Sequence, residues 1–344
     1  MKFCCFLALA LPLFAANDDI TPKIGVIEIY GVHKVSSKKI LEALGAHEGG
    51  PLPSREDAED RIDKVSGIVA SRIEAACCND RGTILYVGVQ EKDAPHFNFQ
   101  PAPAGTVELP VALVDNYHTF LDTVADSIHT PTVDEDLTNG YSLMSDSACR
   151  DLQQAFIPQV AANLSLLDRA VRQSGDPEER EMAAYLLQYA PRGPRTTKVM
   201  LDALQYALQD QEDSVRQNAI RSLQAVAVGA KLHSDQQIAV PPTWFVELLN
   251  SVVWSDRRNA SRALVELTET RDPDTLALIR QRSLDSVIEM ARWHDLHHAL
   301  PAFILAGRLG GLSDKQIQDA WVGGNREPVL QKALHPNKKI KLSD

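Results

Sequence analysis

The residues best suited by type and spacing to do chemistry are His294, Asp295, His297 and His298. Offsets of three and four put His294, His297 and His298 on neighbouring parts of one helix side. Imidazoles at i and i+4 can share a Zn²⁺ ion with a third protein ligand. The matching chemistry is metal-dependent hydrolysis. No H-E-x-x-H accompanies the cluster, and the sequence names no Cys or Glu partner, so a polar helix face beside Trp293 is the competing reading. Asp134, Glu135 and Asp136 could be paired hydrolytic carboxylates. No sugar-binding aromatics stand beside them, and the alternation and Gly of an EF-hand are missing. They read as a solvated acidic loop. Gly307, Gly310 and Gly311 follow no strand, which argues against a phosphate cradle. G-x-S-x-G and P-loop motifs are absent. Trp244 and Phe245 follow Pro241-Pro242 and could anchor a partner, but as core residues they would seal a helix. No catalytic, cofactor or metal residue is assigned on these grounds.

Repetition is the stronger signal. Arg180, Ala183 and Leu187 recur as Arg216, Ala219 and Leu223, and more loosely as Arg257, Ala260 and Leu264. The arginines lie 36 and 41 residues apart, spacings that mark stacked helical repeats. Each triplet occupies one helix face. A helix pair of this kind buries its apolar face only against a neighbour. Asp176 and Asp213 sit where they can accept from free N–H groups at a helix start. Arg216 can reach carboxylates or carbonyls of the previous turn. The small Ala lets helices approach, and Leu223 fills the space between layers.

Residues 22–91 read as a separate α/β unit. Lys23 to Tyr30 is a β-branched strand ended by Gly31. Ser36 and Ser37 are N-cap candidates for a helix through Leu44. Ser54 and Asp57 open a second helix running to about Ile73, with Ile62, Val65, Ile68, Val69 and Ile73 on its apolar side. A strand near Ala75 to Cys78 turns at Asn79-Asp80-Arg81-Gly82 into Thr83 to Gln90. Four prolines in residues 92–112 suggest a semi-rigid extended linker. Ala112 to Ser127 reads as a helix, Thr130 to Tyr141 as a loop, and Asp151 to Gln173 as one long helix or two split near Pro158.

The 344 residues carry a net charge of -11, with 44% hydrophobic and 24% charged residues. Without clustered cations, nucleic-acid and anionic-membrane binding are disfavoured. Lys2, the apolar run Phe3 to Phe14 and the small pair Ala15-Ala16 predict a secretory signal peptide over residues 1–16. No other stretch is long enough to span a bilayer. Of the cysteines beyond it, Cys77 or Cys78 could pair with Cys149 in an oxidising compartment, or could pack as small apolar residues.

Two resemblances follow. Asp176 to Ala184 and Asp210 to Ala219, within residues 164–335, resemble HEAT repeats, with armadillo-type stacking a near neighbour. The resemblance implies an α-α superhelix that binds proteins, with an Asp capping each turn and an Arg tying turns together. The order strand, helix, helix, strand, strand in 22–91, with Gly31, the Leu44–Gly49 turn and the closing Val87-Gly88-Val89-Gln90-Glu91, resembles a POTRA domain. That implies contacts with envelope proteins by strand addition at a sheet edge. The expected chain is mostly α within an α+β whole: signal peptide 1–16, POTRA-like unit 22–91, linker 92–112, helical connecting region 113–163, HEAT-like repeats 164–335 and a tail at 336–344. The expected function is that of an exported, periplasmic or extracellular, non-enzymatic scaffold. Its acidic balance favours basic or neutral protein partners. A metal-dependent hydrolase using His294, His297 and His298, or an envelope-assembly component, are the alternatives.

Overall fold

β-Branched residues alternating in and out make the first strand, β1 (Ile24–Tyr30), whose alternate side chains are buried. The structure is a computed structural model and describes residues 22–79, 81–127 and 134–336; the expected signal peptide and the tail beyond 336 lie outside them. Ser36 caps α1 (Ser37–Leu44) by accepting from the Lys38 N–H, and Ser54 caps α2 (Arg55–Asp63) by accepting from the Asp57 N–H. The second helix is shorter than the sequence suggests. Gly67, at φ +100°, turns the chain, and Ile68, Val69 and Ile73 belong to β2 (Ile68–Asn79). Burial of Ile68 and Ile73 against α1 and α2 outweighs the helical spacing there. β3 (Gly82–Glu91) lies between the other two strands, parallel to β1 and antiparallel to β2.

Both faces of β3 are buried, which explains its nearly continuous apolar sequence. Leu85, Val87 and Val89 face Ile40, Leu44, Ala58 and Ile62 of α1 and α2. Ile84 and Tyr86 join the core of the helical half instead. The sheet is therefore packed between its own helices and the helical array.

Residues 92–110 are extended, but they do not act as a spacer. Phe97 and Leu109 are buried in the helical core. The Gln100 N–H donates to the Gln209 carbonyl at 2.7 Å, the Gly175 N–H to the Gly105 carbonyl at 2.8 Å, and the Leu109 N–H to Glu179 at 2.9 Å. The segment is a strap laid along the array, because its aromatic and aliphatic side chains bury more favourably there than in water.

The described remainder is helical apart from a small hairpin. α3 (Val111–Ser127) and the hairpin β4 (Glu135–Asp136) and β5 (Leu143–Met144) lead into α4 (Ser147–Gln173), which continues through Pro158. Next come α5 (Pro177–Leu186), α6 (Pro194–Ala207), α7 (Asp213–Leu232), α8 (Thr243–Leu248) and α9 (Trp254–Leu267). The array closes with α10 (Pro273–Met290), α11 (Leu296–Leu309), α12 (Asp314–Val322) and α13 (Glu327–Leu334). α5, α7, α9, α11 and α13 pack one on the next as a row. α4 packs on α6, and α8 on α10, in a second row. No helix among the described residues is long and apolar enough to cross a membrane.

Candidate functional site: the arginine ladder, the docked sheet and the α9–α11 face

The three arginines of the repeat perform the same task in three successive helices. Each sits at the fourth position of α5, α7 or α9 and is almost completely buried. Each donates to the carbonyl six residues upstream: Arg180 to Ser174 at 3.1 Å, Arg216 to Asp210 at 2.7 Å, Arg257 to Ser251 at 2.5 Å. Each also pairs with an acid further along the chain. Arg180 Nε and Nη2 grip Asp210 at 2.7 and 3.0 Å. Arg216 holds Asp256 at 2.8–3.0 Å and Asp213 at 2.7 Å. Arg257 reaches Glu289 at 3.0 Å. Burial opposes the charge on Arg216, but Asp256 and Asp213 outweigh it and raise its pKa. Ala183, Ala219, Ala260, Leu187, Leu223 and Leu264 are fully buried between these helices.

Two details differ from the sequence reading. The arginines tie forward to the next repeat through carboxylates, whereas the carbonyls they bind belong to the turn just before them. Asp176 caps α5 by accepting from the Glu178 N–H, but Asp213 caps nothing and bonds to Arg216 instead. Sequence reasoning missed Asp210, Asp256 and Glu289 as partners. They stand six before, one before and thirty-two after the nearest triplet arginine, so no fixed offset marks them.

The sheet docks on the turn edge of the array, beside the ladder. Tyr30 donates its hydroxyl to the Val252 carbonyl at 2.8 Å and lies against the Arg257 guanidinium, 4.5 Å from ring centre. Phe99 of the strap covers Arg216 in the same way at 4.3 Å. Glu74 of β2 accepts from the Trp254 and Ser255 N–H groups, supplying the cap that Val253 cannot give α9. Burial raises the pKa of Glu74 against those bonds. Glu28 of β1 accepts from the His294 N–H and lies 2.6 Å from His294 Nδ1. Gly88 has no room for a side chain, since a Cβ there would lie 2.0 Å from the Val252 carbonyl oxygen.

The sheet edges are already engaged by side chains. The Ile27 N–H of β1 donates to Glu48, and the Gly31 N–H just beyond it to Glu289 at 2.9 and 3.0 Å. The Ile73 N–H of β2 donates to Glu59 at 2.7 Å. Carboxylates at these positions blunt an edge against strand addition.

His294, His297 and His298 do not converge. His294 is engaged by Glu28, and His298 Nδ1 lies 2.6 Å from the Tyr86 hydroxyl, within hydrogen-bond distance, and 3.5 Å from Asp295. Burial lowers the His298 pKa against the opposing pull of Asp295. Among the described residues no three His, Cys, Asp or Glu side chains are placed to hold a metal ion. In the acidic stretch, Glu135 pairs with Arg221 and accepts from Ser142, and Asp136 pairs with Arg150. Gly307 allows α11 to press against Ile317 of α12. Phe245 is core, and Trp244 is covered by Phe97 of the strap. Cys149 is free and buried, which excludes its pairing with Cys77 or Cys78. Cys77 is disulfide-bonded and exposed, so it does not pack as a small apolar residue.

The comparisons with known proteins are sparse. No family model and no curated protein matches the sequence. A solved structure described as the crystal structure of an engineered protein is similar at 18% identity, over 56% of this chain and 93% of that one, with a TM-score of 0.34.

Proposed function

We propose that this protein is an exported, non-enzymatic scaffold. In this reading a HEAT-like array binds protein partners, and a POTRA-like sheet unit braces it. The observation that carries the reading is the continuous buried ladder from Arg180 to Glu289, with strap and sheet packed along it. Such a ladder fixes how each helix pair sits on the next, and a stacked array held in one shape is a preorganised binding surface. The blunted edges of β1 and β2 move the binding role from the sheet to the helices. At the start of its helix row the array is covered by its own chain: Tyr117 of α3 packs on Tyr185, and the hairpin reaches α7 through Glu135 and Arg221. Among the described residues neither element makes a hydrogen bond, ion pair or ring contact with α9 or α11.

The test uses the whole chain with a C-terminal tag, crosslinked in intact cells and then fractionated. One or two reproducible protein partners in the exported fraction are expected. An exported, folded protein that captures none would overturn the scaffold reading.

A further inference from the structure

The outer side of α9 carries Arg258 and Arg262, one helical turn apart. Like charges at this spacing repel, and both burial and Arg262 lower the pKa of Arg258. Neither makes an ion pair among the described residues. Arg258 Nη1 donates to Asn259, and its guanidinium lies 5.6 Å from the Trp254 ring centre. Of the carboxylates nearby, Asp295 accepts from the His298 N–H, and Glu266, a turn beyond Arg262, forms no ion pair with it among the described residues. Trp254 meets His298 edge to face at 4.9 Å. The Tyr86 hydroxyl, its pKa raised by burial, stays protonated and shares a hydrogen bond of 2.6 Å with His298 Nδ1. The two guanidinia thus place positive charge with no ion partner among the described residues on a chain of net charge -11.

We infer that the α9–α11 face around Arg258 and Arg262 binds an acidic segment of a partner protein, whose carboxylates pair with the two guanidinia. Arg presents a planar fork that matches a carboxylate. A nucleic acid fits less well, because it needs many cations along its phosphates, and the chain's net charge of -11 opposes it. The identity of the ligand as a protein rests on the scaffold reading; the recognition of carboxylates does not.

Fluorescein-labelled decaglutamate, titrated with the full chain and followed by anisotropy, tests it. Saturable binding at low salt that weakens at 250 mM NaCl is expected. The double variant Arg258→Gln, Arg262→Gln should bind at least tenfold more weakly. Arg169→Gln with Arg195→Gln, an equal charge change at exposed sites on α4 and α6, should bind as the parent does. Equal thermal midpoints show that all three fold. No binding by the parent, equal losses in both double variants, or tighter binding of a dT12 oligonucleotide than of decaglutamate would overturn the inference. If the Arg258, Arg262 variant still captures the cellular partners, the scaffold reading stands and this site falls.

Discussion

At the scale of single residues, Arg216 and Glu91 matter most. Arg216→Met would leave Asp256 buried without its partner, a change that costs about 3–5 kcal/mol. Adding Asp256→Leu should recover most of that loss, because a buried pair replaced by apolar groups is often neutral. Urea unfolding of the two single variants and the double variant measures both effects. Glu91 accepts from the N–H groups of His33, Lys34 and Val35 at 2.7–2.9 Å. Burial would raise its pKa, but the three bonds outweigh burial and lower it from 4.5. A carboxyl depressed in the folded state stabilises above its unfolded value and loses that contribution as pH falls through the folded one. Glu91→Gln should therefore cost about 2 kcal/mol at pH 7. The gap to the parent should hold down to pH near 4.5 and close below it. A gap that is unchanged at pH 3 would contradict the assignment. The arginine triplets were legible because helix periodicity exposes them. Their acids were not, since a carboxylate can reach a guanidinium from several positions. Glu28, Glu74 and Glu91 stand in strands whose local pattern says nothing of what lies across the fold.

At the scale of elements, two expectations failed for one reason: tertiary burial overrode local pattern. Residues 68–73 have helical spacing, but their β-branched side chains complete a sheet that needs a third strand. Prolines and extended backbone suggested a spacer in 92–112, yet Phe97 and Leu109 draw it onto the helices. Phe97→Ala should destabilise by about 3–5 kcal/mol; a loss under 1 kcal/mol in thermal or urea unfolding would restore the spacer reading. Gly88→Ala should cost about 1–3 kcal/mol, because backbone on the opposing side must move. The mostly helical fold with a small sheet was readable from periodicity, turn residues and caps. The docking of that sheet was not, because it depends on partners more than 200 residues away in sequence, such as Tyr30 with Val252 and Tyr86 with His298.

At the scale of the whole molecule, sheet, strap and array form one body around the ladder. Trp244, Trp254 and Trp293 each contact the N-terminal half, through Phe97, Tyr86 and Tyr30. Tryptophan fluorescence should therefore change in the same transition as helical circular dichroism on heating. A fluorescence change well before helix loss would mean that the sheet releases separately. Partner binding falls to the outer side of α9 at Arg258 and Arg262, beside the docked sheet. The most direct test is a photo-crosslinking side chain placed at Asn259, between Arg258 and Arg262, compared with the same group at Arg195 on α6. The account predicts discrete partner adducts from position 259 and few from 195. Equal adducts from both positions, or none from 259 in a folded and exported chain, would contradict it.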